Sequence, residues 1–194
     1  NMEGAMDVDM EATGARPEGP DSRDRVLQAR GISEPSTASC LLAVDVGNTV
    51  TKFGVFAADE LAGTWEVTTS ERCTADEAWA QAACAIDMLG APEPTSAILS
   101  CVVPSLAEVW RSALGKLCGT RPYAVGPGLK TGIRMRYDDP SEVGSDRVAD
   151  AVAARETYGA PVVVVDLGTT TNIEVVDESG AFAGGIIAPG VARS

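Results

Sequence analysis

Ordered patterning of apolar and polar positions begins at Leu41. Leu41-Leu42-Ala43-Val44 is a short continuous apolar run, the mark of a buried strand, and it leads into Asp45-Val46-Gly47-Asn48-Thr49. Val50 to Phe56 reads as the return strand, with Phe53 and Val55 alternating against Lys52 and Gly54, and a further strand is predicted around Trp65–Val67. Thr74-Ala75-Asp76-Glu77 carries a capping-box signature, after which Trp79, Ala82, Ala83, Ile86 and Leu89 recur at helical spacing up to Gly90. Ala97 to Val103 is a second apolar strand ended by Pro104. Ser105-x-x-Glu108 repeats the capping signature, and Leu106, Val109, Trp110, Ala113 and Leu117 line one face of the next helix. The tryptophan stripes of both helices are assigned to the core.

The loop Gly126-Pro127-Gly128-Leu129-Lys130-Thr131-Gly132 is dense in turn residues and suits a surface segment that lines a site. After Ile133–Tyr137 and a turn at Asp138-Asp139-Pro140, Ser145 is predicted to cap a helix reaching about Tyr158, with Asp146 and Arg147 on its first turn facing a cleft. Val162 to Val165 is the most β-prone run in the chain and enters Asp166-Leu167-Gly168-Thr169-Thr170. Ile173–Asp177 and Ala181–Ile187 then complete a meander around the turn Glu178-Ser179-Gly180. Strands alternating with helices predict an α/β protein with helices covering the sheet. Residues 1–39 show no sustained apolar period and carry eight acidic and four basic side chains, the pattern of a disordered acidic extension. A helix would be expected to start soon after Pro189-Gly190, so a further C-terminal piece is expected beyond Ser194.

Charge narrows the function. With 15 basic against 28 acidic residues, a nucleic-acid or membrane-surface partner is disfavoured, whereas a nucleotide needs only a few local cations and a metal. No histidine is present, so acid–base work falls to Asp and Glu. Five widely spaced cysteines without a C-x-x-C pair suggest neither a disulfide framework nor a zinc site. No run approaches the ~18 apolar residues of a membrane span, and no signal-peptide pattern opens the chain. A cytoplasmic enzyme fits.

The two Asp-x-Gly turns are the candidate chemistry. Glycine lets backbone N–H groups approach an anion, Thr or Asn adds a side-chain hydrogen bond, and a strand-end Asp can hold a cation that offsets phosphate charge. Two such turns, each entered by a strongly apolar strand, suggest related halves that grip one nucleotide from opposite sides. Val143-Gly144-Ser145-Asp146-Arg147 lies between them and supplies a carboxylate able to align and deprotonate a hydroxyl nucleophile. A helix N-terminus stabilises a carboxylate by roughly 0.3–1 kcal/mol, so position has to count for more than basicity. Arg147 can pair bidentately with a substrate carboxylate. Taken singly, Asp146 and Arg147 are more often a helix cap and a solvated charge, and Tyr137 is more often a packing residue.

With these residues assembled, the sequence resembles the type III pantothenate kinases of the acetate and sugar kinase/Hsp70/actin superfamily from about Leu41 to Ser194. The resemblance rests on Asp45-Val-Gly-Asn-Thr49, Ser100-Cys-Val-Val-Pro104, Gly126-Pro-Gly-Leu-Lys-Thr-Gly132, Tyr137-Asp-Asp-Pro140, Glu142-Val-Gly-Ser-Asp-Arg147, Asp166-Leu-Gly-Thr-Thr-Thr171 and Gly184-Gly-Ile-Ile-Ala-Pro-Gly190. It implies two ribonuclease-H-like (actin-like ATPase) domains, the first over 40–125 and the start of the second over 126–194. It further implies transfer of the ATP γ-phosphate to the primary hydroxyl of pantothenate, the entry step to coenzyme A, in a homodimer whose interface helps form the acceptor site.

By the same resemblance, Asp45, Val46, Gly47, Asn48, Thr49, Val50, Thr51 and Lys52 form the first phosphate-binding hairpin and Thr169 touches ATP. Asp146 is the proton acceptor, while Tyr137, Gly144, Ser145, Asp146 and Arg147 contact pantothenate. Asp166 holds a monovalent cation (K+ or NH4+), and Mg2+ accompanies the ATP phosphates. The chain departs from the family pattern at Val50-Thr51, Thr170, Asn172 and Glu174, the last two standing where Thr and Asp are usual. Two other readings stay open: a kinase of the superfamily with another small hydroxyl acceptor, and a non-catalytic nucleotide-binding or regulatory relative.

Overall fold

The computed structural model describes residues 39–58, 60–126, 129–136 and 143–190. The acidic extension up to residue 38, Tyr137 and the turn at 138–140 lie outside the described residues.

Three strands open the ordered chain as an antiparallel meander: β1 (Cys40–Val46), β2 (Val50–Ala57) and β3 (Glu60–Thr68). In β1 every second side chain, from Cys40 through Leu42 and Val44 to Val46, is buried, so Ala43 and Asp45 point to the opposite face. Helix α1 (Ala75–Met88) then crosses to β4 (Ser96–Cys101), which pairs parallel with β1, and α2 (Pro104–Cys118) crosses to the two-residue β5 (Tyr123–Ala124). The resulting sheet has the order β3-β2-β1-β4-β5. Both helices cover the face that carries Leu42, Val44, Phe53 and Leu99. Trp110 of α2 packs on Phe53 with ring centroids 5.7 Å apart and planes tilted by 58°.

Helix boundaries follow local chemistry, with two corrections. At α1 the predicted capping box is present: the Glu77 N–H donates to Thr74 Oγ1 at 3.3 Å and the Thr74 N–H donates to Glu77 Oε2 at 2.8 Å. The second box, at Ser105, does not form. Helix α2 starts one residue earlier, at Pro104, whose missing N–H costs nothing in a first turn, and it ends on Gly119 in the left-handed conformation (φ 68°). The helix α3 (Ser145–Tyr158) is capped by Gly144, with Ser145 already inside it, because the Ser145 hydroxyl is bonded elsewhere.

Trp79 is also corrected. It is 36% exposed, and the buried positions of α1 are Ala78, Ala82, Ala85 and Ile86. Small side chains let α1 lie close to its neighbours, which turns the indole outward, where the Lys116 ammonium sits 5.1 Å from the ring centroid.

The second sheet repeats the opening meander: β6 (Val162–Leu167), β7 (Thr170–Val176) and β8 (Phe182–Pro189), in the order β6-β7-β8. Helix α3 packs on β6 and β7 and also reaches β4 of the first sheet. Its inward residues Val148 and Ala151 join Ile133, Val176 and Phe182 in a second, smaller core. The α3 N-terminus thereby stands between the two meanders.

Candidate functional site

Each meander places its Asp-x-Gly turn at the same end of its sheet. In the first turn the Gly47 N–H donates to the Val50 carbonyl at 3.0 Å; in the second the Gly168 N–H donates to the Thr170 carbonyl at 2.9 Å. A β-carbon on Gly47 would stand 3.0 Å from the Val50 carbonyl oxygen, so the turn has room for glycine alone without a shift. The two turn tips touch: Thr169 Oγ1 donates to Thr49 Oγ1 at 2.9 Å.

Between them lies a cavity of about 680 Å³, the size of a small-molecule site. Of the residues singled out in the sequence, Asp45, Gly47, Asn48, Thr49, Val50 and Lys52 line it from the first meander. Asp166 and Thr169 line it from the second, and Asp146 from α3. Val46 and Thr51 do not. The pleat turns both into the first core, where the Thr51 hydroxyl meets that of Thr69 at 2.9 Å. Gly144 and Ser145 lie just behind the wall, and Tyr137 falls outside the described residues.

The expectation that Arg147 faces the cleft is overturned. Its side chain is buried and turned back onto β7, where Nε donates to Glu174 Oε1 at 2.7 Å and Nη2 donates to the Ile173 carbonyl at 3.4 Å. Asp146 and Arg147 are adjacent on a helix, about 100° apart around its axis, so when one faces the cleft the other is carried away from it.

Ser145 fastens α3 to the first sheet. Its hydroxyl oxygen accepts from the Cys101 N–H at 3.0 Å and is hydrogen-bonded to the Ser100 hydroxyl at 3.1 Å. Ser100 in turn stands beside Asp45 in the β1–β4 register. Burial pushes the Asp45 carboxyl up, the Ser100 hydroxyl pulls it down, the Asp146 charge raises it again, Lys52 lowers it and Asp166 raises it. Asp45 Oδ1 is buried without a partner among the described residues.

Asp150, one helical turn beyond Asp146, also lines the cavity and had not been singled out. Burial, together with the charges of Asp166, Glu174, Asp146 and Asp45, pushes its carboxyl up to about 6. The i,i+4 spacing of the two aspartates was the available signal. Ser100 gave none, because its place beside Asp45 depends on strand register. Glu174 gave a faint one, as a charge inside an apolar strand.

Four carboxylates thus border a cavity whose described lining contains one cation, Lys52. No group of three or more His, Cys, Asp or Glu among the described residues is arranged to hold a metal by itself. The unpartnered Asp45 oxygen and the all-oxygen donor set still suit Mg2+, which commonly takes one or two protein carboxylates and completes its shell with phosphate oxygens and water. Among the described residues no helix is long and apolar enough to cross a membrane.

Comparison with known proteins gives the family. The chain is 41% identical over 153 residues to the type III pantothenate kinase of Moorella thermoacetica, covering 78% of this chain and 60% of that protein. It is 46% identical over 153 residues to that of Rhodospirillum centenum, covering 77% and 59%. It therefore spans about three fifths of the length of the curated relatives it matches. Among solved structures, an ethanolamine utilization protein EutJ from Carboxydothermus hydrogenoformans aligns at a TM-score of 0.45 and 16% identity, over 83% of this chain and 56% of that one, too distant to carry an argument. The family model described as type III pantothenate kinase matches residues 41–194, and the chain belongs to that family.

Proposed function

We propose that this chain forms part of an enzyme that transfers the ATP γ-phosphate to the primary hydroxyl of pantothenate, the first step of coenzyme A biosynthesis. One observation carries the reading: the two glycine turns meet at Thr49 and Thr169, and the same cavity is bordered by the Asp146 carboxylate. Backbone N–H groups of both turns would approach the phosphates, the Thr49 and Thr169 hydroxyls would exchange their mutual bond for phosphate oxygens, and the Asn48 side chain would add a further contact. Lys52 would offset part of the charge. Mg2+, when bound, supplies further charge neutralisation at the phosphates, with Asp45 as its protein ligand, and Asp166 would hold K+ or NH4+.

Asp146 is the proton acceptor in this reading. A primary alcohol is a weak nucleophile, and a carboxylate held within hydrogen-bond reach of its proton aligns it for in-line attack and takes the proton as the phosphoryl group transfers. Gly144 and Ser145 would contact the acceptor beside it. A β-carbon on Gly144 would collide with the Asp146 carboxylate, so that glycine keeps the carboxylate where it stands.

The same reading assigns the two meanders to two ribonuclease-H-like domains of the actin-like superfamily, and the assembly to a cytoplasmic homodimer. The test is ATP-dependent phosphorylation of pantothenate with Mg2+, with potassium exchanged for sodium. Potassium-dependent product, abolished in Asp146→Asn while ATP still binds, is the expected result. A folded, ATP-binding protein that phosphorylates a different hydroxyl compound, or none, would replace it with another acceptor or a nucleotide-binding role.

A further inference from the structure

Arg147 stands next to the proposed proton acceptor in sequence and its backbone N–H donates to Asp146 Oδ1 at 2.8 Å, yet its guanidinium is turned away from the cavity. Its guanidinium lies 5.8 Å from the Phe182 ring centroid, bonded to Glu174 and to the Ile173 carbonyl. Across the β7–β8 ladder, Glu174 is paired with Gly185. A β-carbon at Gly185 would run into Arg147 Nη2 and the Ile173 carbonyl oxygen, so the guanidinium occupies the space that a side chain on β8 would otherwise take. Strand, helix and glycine together make a fitted slot.

Stability alone does not account for this slot. Glu174 is fully buried, and its Oε2 has no partner among the described residues. Burial pushes its carboxyl up against the opposing pull of Arg147. Buried ion pairs with an unmet oxygen are commonly no more stabilising than apolar residues of the same volume. The pair does fix geometry. Arg147 is on the first turn of α3, directly after Asp146. Glu174 is two residues along β7 from Asn172, which lines the cavity and pairs in register with Asp166. The ion pair therefore ties the turn bearing Asp146 to the strand behind the second phosphate turn.

We infer that Glu174 and Arg147 form a positioning pair that holds Asp146 at a set distance from the second phosphate turn, Arg147 acting through Asp146 and not as a ligand of the acceptor. This rests on the kinase reading above for its functional consequence, though not for its geometry. The planar guanidinium meets Glu174 and a carbonyl together, a two-point contact that other side chains do not reproduce.

The experiment compares wild type, Glu174→Gln, Glu174→Leu, Arg147→Met and the double variant Arg147→Met/Glu174→Leu. Pantothenate kinetics are read at saturating ATP, and amide hydrogen exchange is read over residues 145–148. Glu174→Gln keeps an oxygen for Arg147 Nε and is expected to retain most of kcat. Glu174→Leu and Arg147→Met should each lower kcat about tenfold with the pantothenate KM changed less than about threefold, and the double variant should be no worse than either, because the two side chains act as one unit. Exchange over the first turn of α3 should accelerate in Glu174→Leu but not in Glu174→Gln.

A near-wild-type Glu174→Leu beside an Arg147→Met whose pantothenate KM rises about tenfold would overturn the inference, since Arg147 would then meet the acceptor directly. Where a single variant fails to fold, the double removes both charges and decides: wild-type kinetics in it would equally overturn the pair's role. A wild type that turns over no pantothenate counts against the kinase reading alone, and unchanged exchange in Glu174→Leu counts against the pair alone.

Discussion

The hydroxyl of Thr169 donates to the hydroxyl of Thr49 at 2.9 Å, although 120 positions of chain separate them. Each threonine sits at the tip of a glycine turn, and each is exposed. A hydrogen bond between two exposed hydroxyls contributes at most about 1 kcal/mol, because water competes for both partners. It is thus easily exchanged for bonds to phosphate oxygens, and its presence shows that both turns already point at one spot.

Replacing either threonine by valine should leave the fold intact and weaken the nucleotide. Thr169→Val and Thr49→Val are expected to shift Tm by less than about 2 °C and to raise the Kd for MgATP by roughly tenfold, about 1.4 kcal/mol. Calorimetric titration checks this. Unchanged affinity in both variants would mean that the phosphates do not sit between the turn tips.

Asp150 links stability to pH. Its folded-state value of about 6 stands above the ordinary 3.8, so between those limits the native state keeps a proton that the unfolded chain has released. Stability from this group accordingly falls as pH rises through that window and stays lower above it. Asp150→Asn removes the penalty. Without divalent ions, the variant should gain on the order of 1 kcal/mol at about pH 8, once solvent screening at this half-open site is allowed for, and nothing near pH 3. Urea unfolding at the two pH values reads the difference, and an equal gain at both would assign the effect to something other than titration.

Much of the fold was legible because apolar strands and capping residues are local signals. Leu41–Val44 and Val162–Val165 announce β1 and β6, and Thr74 with Glu77 announces α1. The Ser105 signature failed because Pro104, one residue earlier, is itself a good first-turn residue and starts the helix. In the site, the glycine turns and Asp146 stood out by residue type and spacing. What Arg147 does was not legible, since a guanidinium beside a cleft looks the same in sequence whether it faces the cleft or a buried carboxylate. Only the register that puts Gly185 opposite Glu174 reveals the slot. Ser100 was hidden for the same reason.

The two helix tryptophans should behave oppositely on truncation. Trp110 is 1% exposed and packed on Phe53, so Trp110→Ala leaves a large void in the first core and is expected to cost about 3–5 kcal/mol. Trp79 holds the Lys116 ammonium at its ring face, an exposed contact worth about 0.5–1 kcal/mol. Denaturant midpoints of Trp79→Ala and Trp110→Ala compare them directly. Equal losses would contradict the outward turn of Trp79.

Ser145 gives the last prediction, because its hydroxyl ties α3 to the first sheet behind the site. It satisfies the Cys101 N–H at the end of β4 and reaches Ser100, the neighbour of Asp45. Removing it leaves the Cys101 N–H without that partner, so Ser145→Ala should cost about 1–3 kcal/mol, where Ser145→Thr, which keeps a hydroxyl, should cost less. The loss should also be local. Hydrogen exchange at the Cys101 amide is expected to speed up in Ser145→Ala more than at Ala97 or Leu99 on the same strand, with kcat falling severalfold as the first turn of α3 loosens and Asp146 with it. If the Cys101 amide stays as protected as in wild type while kcat falls, the Ser145 hydroxyl acts inside the acceptor site and the tie between α3 and the first sheet lies elsewhere.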